Sequence, residues 1–199
     1  MYANLPKSTM LCLSLSFAMF MTACSKNQKS VIPEVVEPTA EQLVQKGEYL
    51  VNIMGCNHCH SPKKMGPHGL EIIPELMLSG YPADRPLPDV VQEALTKGWT
   101  LMNNDLTAGA GPWGVSFAAN LTSDPTGIDN WTEENFKRAL KEGKFKGLTG
   151  TRTLQPPMPL TNFINVSDED VKAIFAYLKS TNPVRNVVPA PIPPAGSGK

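Results

Sequence analysis

The stretch GCNHCHSPKK, residues 55–64, concentrates the sulfur and imidazole side chains of this sequence. It contains Cys56, Cys59 and His60 as a Cys-x-x-Cys-His motif. The 199-residue chain has four cysteines and three histidines, so two of each lie within five positions. Such clustering indicates a site that uses thiol and imidazole groups together, and the chemistry of that site decides how the surrounding chain must fold.

Four chemistries suit this motif. A disulfide is possible in an exported protein and remains an alternative. A redox dithiol would favour a thioredoxin-like βαβ context, which this sequence does not show, and a structural zinc ion would need a second ligand pair. Covalent haem c uses all three residues, because two thioether bonds join the cysteines to the vinyl groups and the next residue faces the iron. The motif therefore predicts one covalent haem c, attached at Cys56 and Cys59 with His60 as an axial iron ligand.

The first 23 residues have the pattern of an export signal. Lys7 provides a positive charge, and Met10–Ala23 is a mostly apolar run of 14 residues, shorter than the roughly 20 residues that span a bilayer. The run ends at MTAC, residues 21–24, which resembles the lipobox of bacterial lipoproteins. That resemblance implies a lipoprotein signal peptide over residues 1–23 and lipidation of Cys24, with an ordinary signal peptide as the alternative. We therefore expect an exported protein, anchored by lipid on the periplasmic side of a membrane.

Composition divides the rest of the chain into one domain and two flanking segments. Residues 24–39 are polar and contain proline, which indicates a flexible tether. Residues 40–181 form the predicted domain. Residues 182–199 are rich in proline and end in glycine and serine, which predicts a disordered tail. The formal net charge is zero, with 18 basic and 18 acidic residues, so nothing favours nucleic-acid binding.

Apolar residues recur at helical spacing in three segments, residues 40–54, 132–143 and 168–180. Thr132 and Ser167 are suitable N-caps, and acidic residues follow both of them, where the helix dipole favours negative charge. A shorter helix over residues 88–96 and a β-hairpin around WTLMNNDL, residues 99–106, have weaker patterns. The expected fold class is all-α, with long irregular loops.

The sixth coordination position of the iron needs a ligand from elsewhere in the chain. The stretch QPPMPLTNF, residues 155–163, contains Met158 between prolines, which stiffen the loop by fixing φ. We therefore predict Met158 as the second axial ligand. The rival sulfur ligands are Met65, Met77 and Met102. His58 and His68 are expected to ligate nothing.

Residues 40–181 resemble a class I c-type cytochrome with one haem. That family has a helix before the haem site, a C-terminal helix packed across it near a right angle, and a methionine from the loop between them. A small residue contacts an aromatic residue where the two helices cross, and Gly47 and Tyr177 match this pair. The resemblance implies a cytochrome c-like fold with three main helices around one covalent haem.

Two longer stretches carry a more specific resemblance. They are GPWGVSFAANLTSDPTGIDNWTEENFKRALKEG, residues 111–143, and PPMPLTNFINVSDEDVKAIFAYLK, residues 156–179. Both are similar to haem domains in the cytochrome subunits of membrane-bound dehydrogenases for alcohols and sugar acids. This similarity implies a role as an electron-transfer protein or subunit.

The expected function is one-electron transfer through the haem edge, because two filled axial positions leave no place for a substrate at the iron. The chain is therefore expected not to be an enzyme. A quinol-oxidising complex or a dehydrogenase is the expected electron donor in a respiratory chain, and an oxidase or reductase is the expected acceptor. The alternative is a haem-based gas sensor or small-molecule redox enzyme in which Met158 is easily displaced.

Other residues are candidates for contacts with the haem or with a redox partner. The candidate haem contacts are Trp99, Trp113, Asn120, Trp131 and Arg152. The candidate docking cations for an acidic partner are Lys63 and Lys64 beside the haem motif, together with Lys137, Arg138, Lys141, Lys144 and Lys146. Ordinary packing or exposure to water is the competing interpretation of each.

Overall fold

A computed structural model describes residues 37–194 of the chain. The predicted signal peptide, the lipidation site Cys24 and nearly all of the tether lie outside the described residues, as do residues 195–199. The described helices are α1 (Ala40–Ile53), α2 (Cys56–His60), α3 (Gln92–Thr96), α4 (Glu133–Glu142), α5 (Leu160–Phe163) and α6 (Asp168–Ser180). Short 3-10 helices lie at Pro74–Leu76 and Phe145–Gly147. Within residues 37–194, no helix is long and apolar enough to cross a membrane.

The three long helices, α1, α4 and α6, end within one residue of their predicted bounds. Each begins after a hydroxyl residue, Thr39, Thr132 or Ser167, whose side chain accepts the N–H of the residue three positions on. Gln42 and Asn135 bond back to the cap backbone in α1 and α4, which completes two capping boxes. Local sequence therefore specifies where these helices start. The weaker helix predicted over residues 88–96 is shorter, because α3 begins only at Gln92.

Helices α1 and α6 meet at Gly47. A Cβ atom at Gly47 would lie 2.0 Å from the carbonyl oxygen of Ala173 and 2.7 Å from Cβ of Tyr177. The contact of a small residue with an aromatic residue, implied by the resemblance, is therefore present. The core that includes this crossing consists of Val51, Leu78, Ile128, Phe136, Leu140, Phe163, Val171, Ile174, Tyr177 and Leu178.

The prediction of an all-α fold is wrong, because the described residues include two small antiparallel sheets. The first sheet pairs β1 (Lys63–Gly66) with β2 (Gly69–Ile72). The second has the order β3 (Leu101–Met102), β4 (Ala108–Gly111) and β5 (Gly114–Phe117). The pairing of β3 with β4 confirms the hairpin predicted around residues 99–106.

The strands were missed because they carry no alternation of apolar and polar residues. Each has only two to four residues. Strand β4 reads AGAG and is buried along its whole length, so a period of two cannot be seen in it. Glycine and alanine also have low strand propensity. Small residues let neighbouring chain segments approach each other closely. The pairing of these segments, not a side-chain pattern, determines where the strands lie.

The described part of the C-terminal segment, residues 182–194, lies against the domain, where a disordered tail was predicted. Ile192 exchanges two backbone hydrogen bonds with Val115 of β5, at 2.8 and 2.9 Å. The Asn186 amide donates to the carbonyl oxygens of Ser79 and Tyr81, at 2.7 and 2.9 Å. Proline prevents helix and central strand formation, but it permits an extended segment held by such anchors, and composition alone does not reveal them.

Candidate haem site

The Cys-x-x-Cys-His motif forms the short helix α2, directly after α1. Three positions separate Cys56 from Cys59, so both thiols lie on the same side of this helix. Both cysteines are half-buried, and neither is in a disulfide. Cys56 packs against the core described above. Both thiols of α2 therefore lie on one side of the helix, and Cys56 also contacts the core.

Burial raises the pKa of the Cys56 thiol to about 11. Burial also raises the pKa of Cys59, and the nearby positive charge of Lys63 opposes that rise. Redox dithiols react as thiolates and have pKa values below that of a free cysteine, so these thiols do not suit the redox-dithiol alternative. The described residues also contain no group of three or more His, Cys, Asp or Glu side chains placed to hold a metal ion such as zinc.

His60 is oriented by a hydrogen bond to one of its ring nitrogens. Its Nδ1 lies 2.8 Å from the carbonyl oxygen of Ala119. A carbonyl oxygen only accepts, so Nδ1 carries the proton and Nε2 keeps its lone pair. The residue is only 9% exposed, and this burial lowers the pKa of His60, which keeps the imidazole neutral. A neutral histidine held in this way can coordinate iron through Nε2.

Two loop segments support His60. The Gly80 N–H donates to the carbonyl oxygen of His60 at 2.8 Å, and the Tyr81 N–H donates to that of Ala118 at 2.9 Å. Gly80 has a φ of +77°, and a Cβ atom there would lie 2.4 Å from the Ala118 carbonyl oxygen, so glycine lets the two segments approach each other. Asn186 bonds the residues on both sides of Gly80. Sequence reasoning missed this support, for which the only local signal is the glycine itself.

Met158 lies in the loop before α5 and is half-buried. It packs against the same core as Cys56. The hydroxyl of Ser116 in β5 donates to the carbonyl oxygen of Pro156, and the Leu160 N–H donates to that of Met158 at 2.9 Å. These bonds fix the backbone on both sides of the methionine. The structure brings Met158 and the attachment motif to one core, and coordination of the iron by Met158 stays a prediction.

The rival methionines are exposed to different degrees. Their exposed fractions are 76% for Met65, 36% for Met77 and 37% for Met102. Met102 lies close to the loop that carries Met158, because a Cβ atom at Gly109 would lie 3.0 Å from Met102 Sδ and 2.9 Å from Pro157 Cδ. Met102 is therefore the rival that an experiment must distinguish from Met158. His58 and His68 are both exposed.

Trp113 Nε1 and Gln155 Oε1 are buried polar atoms that have no hydrogen-bond partner among the described residues. The two residues are neighbours, since Gln155 Nε2 lies 3.5 Å from the Trp113 carbonyl oxygen. A buried N–H without an acceptor is costly unless a ligand satisfies it. A haem propionate is a carboxylate and is one group that could accept this bond.

The other candidate haem contacts have different surroundings. The Asn120 amide donates to a carbonyl oxygen of the C-terminal segment at 2.8 Å. The Arg152 guanidinium lies 4.2 Å from the centre of the Phe145 ring. Trp99 is 67% exposed, whereas Trp131 packs against the core. Among these candidates, Trp113 is the one with a buried donor that the described residues leave unsatisfied.

Most of the basic cluster on α4 is already paired. Lys137 and Lys141 both form salt bridges with Asp168 at the start of α6. Arg138 forms a salt bridge with Glu134 one turn earlier. Exposed pairs of this kind contribute little stability, but the two carboxylates offset much of the positive charge that an acidic partner would recognise. The structure therefore favours the competing interpretation of these cations as a solvated helix face.

Lys63 and Lys64 lie on β1, beside the haem motif, and they differ in exposure. Lys64 is exposed. The prediction that Lys63 docks a partner is wrong, because Lys63 is only 8% exposed and its ammonium group is bonded inside the protein. Successive strand residues point to opposite sides, which explains why adjacent lysines have different environments.

The sequence profile of the family described as Cytochrome c matches residues 44–182. The matched span covers more than two thirds of the chain and contains the attachment motif, Met158, most of α1 and all of α6. The region outside the match consists of residues 1–43, which include the first turn of α1, and residues 183–199, which are nearly all of the C-terminal segment.

Several bacterial proteins are similar in sequence. The gluconate 2-dehydrogenase cytochrome c subunit of Pantoea cypripedii is 30% identical over 138 residues, 69% of this chain and 23% of that protein. The alcohol dehydrogenase (quinone) cytochrome c subunit of Gluconobacter oxydans is 28% identical over 140 residues, 69% of this chain and 21% of that protein. One of the subunits of nicotinate dehydrogenase from Pseudomonas putida is 42% identical over 80 residues, which are 40% of this chain and 6% of that protein. The matched region thus spans less than a quarter of the length of each of these relatives.

Proposed function

The chain belongs to the cytochrome c family, whose haem c is covalent and transfers electrons, and we propose that it is a one-electron carrier with His60 and Met158 as axial iron ligands. Cys56 and Cys59 would hold one haem through thioether bonds. The observation that carries the proposal is the buried, hydrogen-bonded imidazole of His60. Its Nδ1 is bonded to Ala119, so Nε2 is the ring nitrogen left for the iron.

A bound haem c supplies reversible one-electron exchange between Fe(III) and Fe(II). His60 and Met158 would fill both axial positions, which leaves no open position for a substrate. The neutral thioether of Met158 would favour Fe(II) and so raise the reduction potential. The hydrogen bond from His60 to Ala119 and the prolines beside Met158 would keep both ligands in place when the iron changes charge. The Trp113 N–H would donate to a haem propionate.

The test is the absorption spectrum of the reduced protein before and after addition of carbon monoxide. The full chain would be produced with a cytochrome c maturation system. We expect haem to remain on the protein in a denaturing gel and the spectrum to stay unchanged by carbon monoxide, because Met158 blocks the sixth position. A carbon monoxide complex that forms at once would instead support the gas sensor or small-molecule enzyme. A gel without covalent haem would support a structural protein with a Cys56–Cys59 disulfide.

The proposed electron donor is a dehydrogenase or a quinol-oxidising complex, and the proposed acceptor is an oxidase or reductase of a respiratory chain. The relatives named as dehydrogenase cytochrome c subunits support the choice of donor. The proposed location is the periplasmic side of a membrane, with a lipid on Cys24 as the anchor. The apolar run that ends at MTAC, residues 21–24, supports this location.

Lipidation can be tested by growing producing cells with labelled palmitate. We expect label in the wild-type protein and none in Cys24→Ala, because the acyl chains are attached through this cysteine. Cys12→Ala is the matched control, since Cys12 lies in the apolar run that would be removed, and its product should be labelled like the wild type. Equal labelling of Cys24→Ala, or an unlabelled wild type, would contradict the lipid anchor.

A further inference from the structure

Lys63 is a buried cation next to the haem attachment helix. Its ammonium group donates to the carbonyl oxygens of Ser61 and Asp105, each at 2.9 Å, and to that of His58. Three acceptors match the three N–H bonds of an ammonium group. The residue is 8% exposed, so water screens this charge far less than a charge on the surface.

The charges around Lys63 do not cancel. The Asp105 carboxylate bonds the guanidinium of Arg85, the hydroxyl of Thr107 and the amide of Asn103. Burial alone would raise the pKa of Asp105, but the hydrogen bonds from Thr107, Arg85 and the backbone N–H of Lys63 lower it overall, so the group is ionised. The ammonium group of Lys63 donates to the backbone oxygen of Asp105, whereas the carboxylate accepts the backbone N–H of Lys63 at 3.3 Å. Two cations and one carboxylate leave one net positive charge in this cluster.

This charge acts on the residues that would hold the haem. The ammonium group of Lys63 bonds the carbonyl oxygens of residues 58 and 61, which flank Cys59 and His60. The ammonium group is therefore held against the backbone at the end of the helix that carries both residues. A positive charge thus opposes further positive charge at this helix. Oxidation of Fe(II) to Fe(III) would add one positive charge to a haem attached at this helix.

We propose that the buried ammonium group of Lys63 is a fixed positive charge that raises the reduction potential of the haem attached at Cys56 and Cys59. The inference rests on the proposed function, since it requires a haem at this motif. Lys63 acts through its electrostatic field and does not contact the reacting atoms. A purely structural role is the competing explanation, because two of these hydrogen bonds cap the carbonyl end of α2 and the third connects it to Asp105.

Substitutions that change the charge in opposite directions separate the two explanations. Lys63→Met removes a positive charge, and Asp105→Asn removes a negative one. If the field matters, the midpoint potential of the full-length haem protein should fall in Lys63→Met and rise in Asp105→Asn. If only structure matters, both variants disturb the same hydrogen-bonded cluster and their potentials should move in the same direction or not at all.

The measurement is a redox titration of each variant at one pH and one salt concentration. For Lys63→Met we expect the equilibrium constant for reduction to fall about tenfold, which is about 59 mV for a one-electron couple. Lys64→Met is the matched control, because it removes the same charge from the neighbouring exposed position, and its potential should stay close to that of the wild type. An unchanged potential in Lys63→Met, or a shift of equal size in Lys64→Met, would overturn the proposal.

A folding defect in Lys63→Met does not leave the inference untested. If that variant fails to incorporate haem, Asp105→Asn decides alone, and a potential equal to or below that of the wild type would overturn the proposal. Failure of the proposed function has a different signature. It would appear in the wild type, as absent covalent haem or as a carbon monoxide complex, before any variant is compared.

Discussion

Gly47→Ala is expected to lower the free energy of unfolding by about 2–3 kcal/mol, within the range for an overpacked core. The added methyl group would lie 2.0 Å from the carbonyl oxygen of Ala173. That atom belongs to the backbone of α6, so no side-chain rotation can relieve the contact and the two helices must move apart. Alanine favours a helix over glycine by about 1 kcal/mol, and the expected loss remains after this gain.

The measurement is denaturant unfolding of the haem-loaded protein, followed by circular dichroism. Gln45→Ala is the matched control on the same helix, because Gln45 is exposed and its replacement should change the stability by no more than about 0.5 kcal/mol. Gly47→Ala as stable as the wild type would mean that α1 and α6 cross at a greater distance than the structure shows.

The helices were predictable because their determinants are local. Thr132 and Ser167 cap α4 and α6 from the adjacent residue, and the acidic residues after each cap lie in the first turn. Their apolar faces repeat at helical spacing, so a window of about a dozen residues contains the whole signal. Even the crossing of α1 with α6 left a local trace, in the single glycine of α1.

The sheets and the course of the C-terminal segment depend on contacts between residues far apart in the chain. Strand β4 has no side-chain pattern, and its position follows from pairing with β3 and β5. Ile192 pairs with Val115, and Asn186 bonds the segment around Gly80. Proline and glycine in these regions predict loops and disorder, but in the structure they lie where chain segments pack closely.

The site shows the same division between local and distant determinants. Cys56, Cys59 and His60 are adjacent in sequence, so the motif could be recognised without a structure. The acceptor for His60 is the backbone of Ala119, and any residue type could supply that oxygen. The burial of Lys63 could not be predicted from sequence. Alternate residues of a strand face opposite sides, and the sequence does not show which side faces the interior.

Met158→Ala is expected to convert a haem that resists carbon monoxide into one that binds it rapidly. Removal of the thioether leaves the sixth coordination position of the iron open, while His60 and the two thioether bonds are untouched. The reduction potential should also fall, because Met sulfur favours Fe(II). Met158→His should fill the position again with nitrogen, so this variant should stay insensitive to carbon monoxide and also have a potential below that of the wild type.

Met102→Ala is the matched control for this prediction. Met102 offers the same sulfur atom beside the same loop, since Met102 Sδ and Pro157 Cδ both lie within 3.0 Å of the position of a Cβ atom at Gly109. If Met158 is the ligand, Met102→Ala should keep the wild-type spectrum and remain insensitive to carbon monoxide. If Met102→Ala opens the iron and Met158→Ala does not, the axial sulfur comes from β3, and the prolines around Met158 serve only to shape the loop. If neither single variant opens the iron and the double variant does, either sulfur atom can act as the ligand. That outcome would contradict a single ligand that stays in place when the iron changes charge, and the electron-carrier proposal depends on such a ligand.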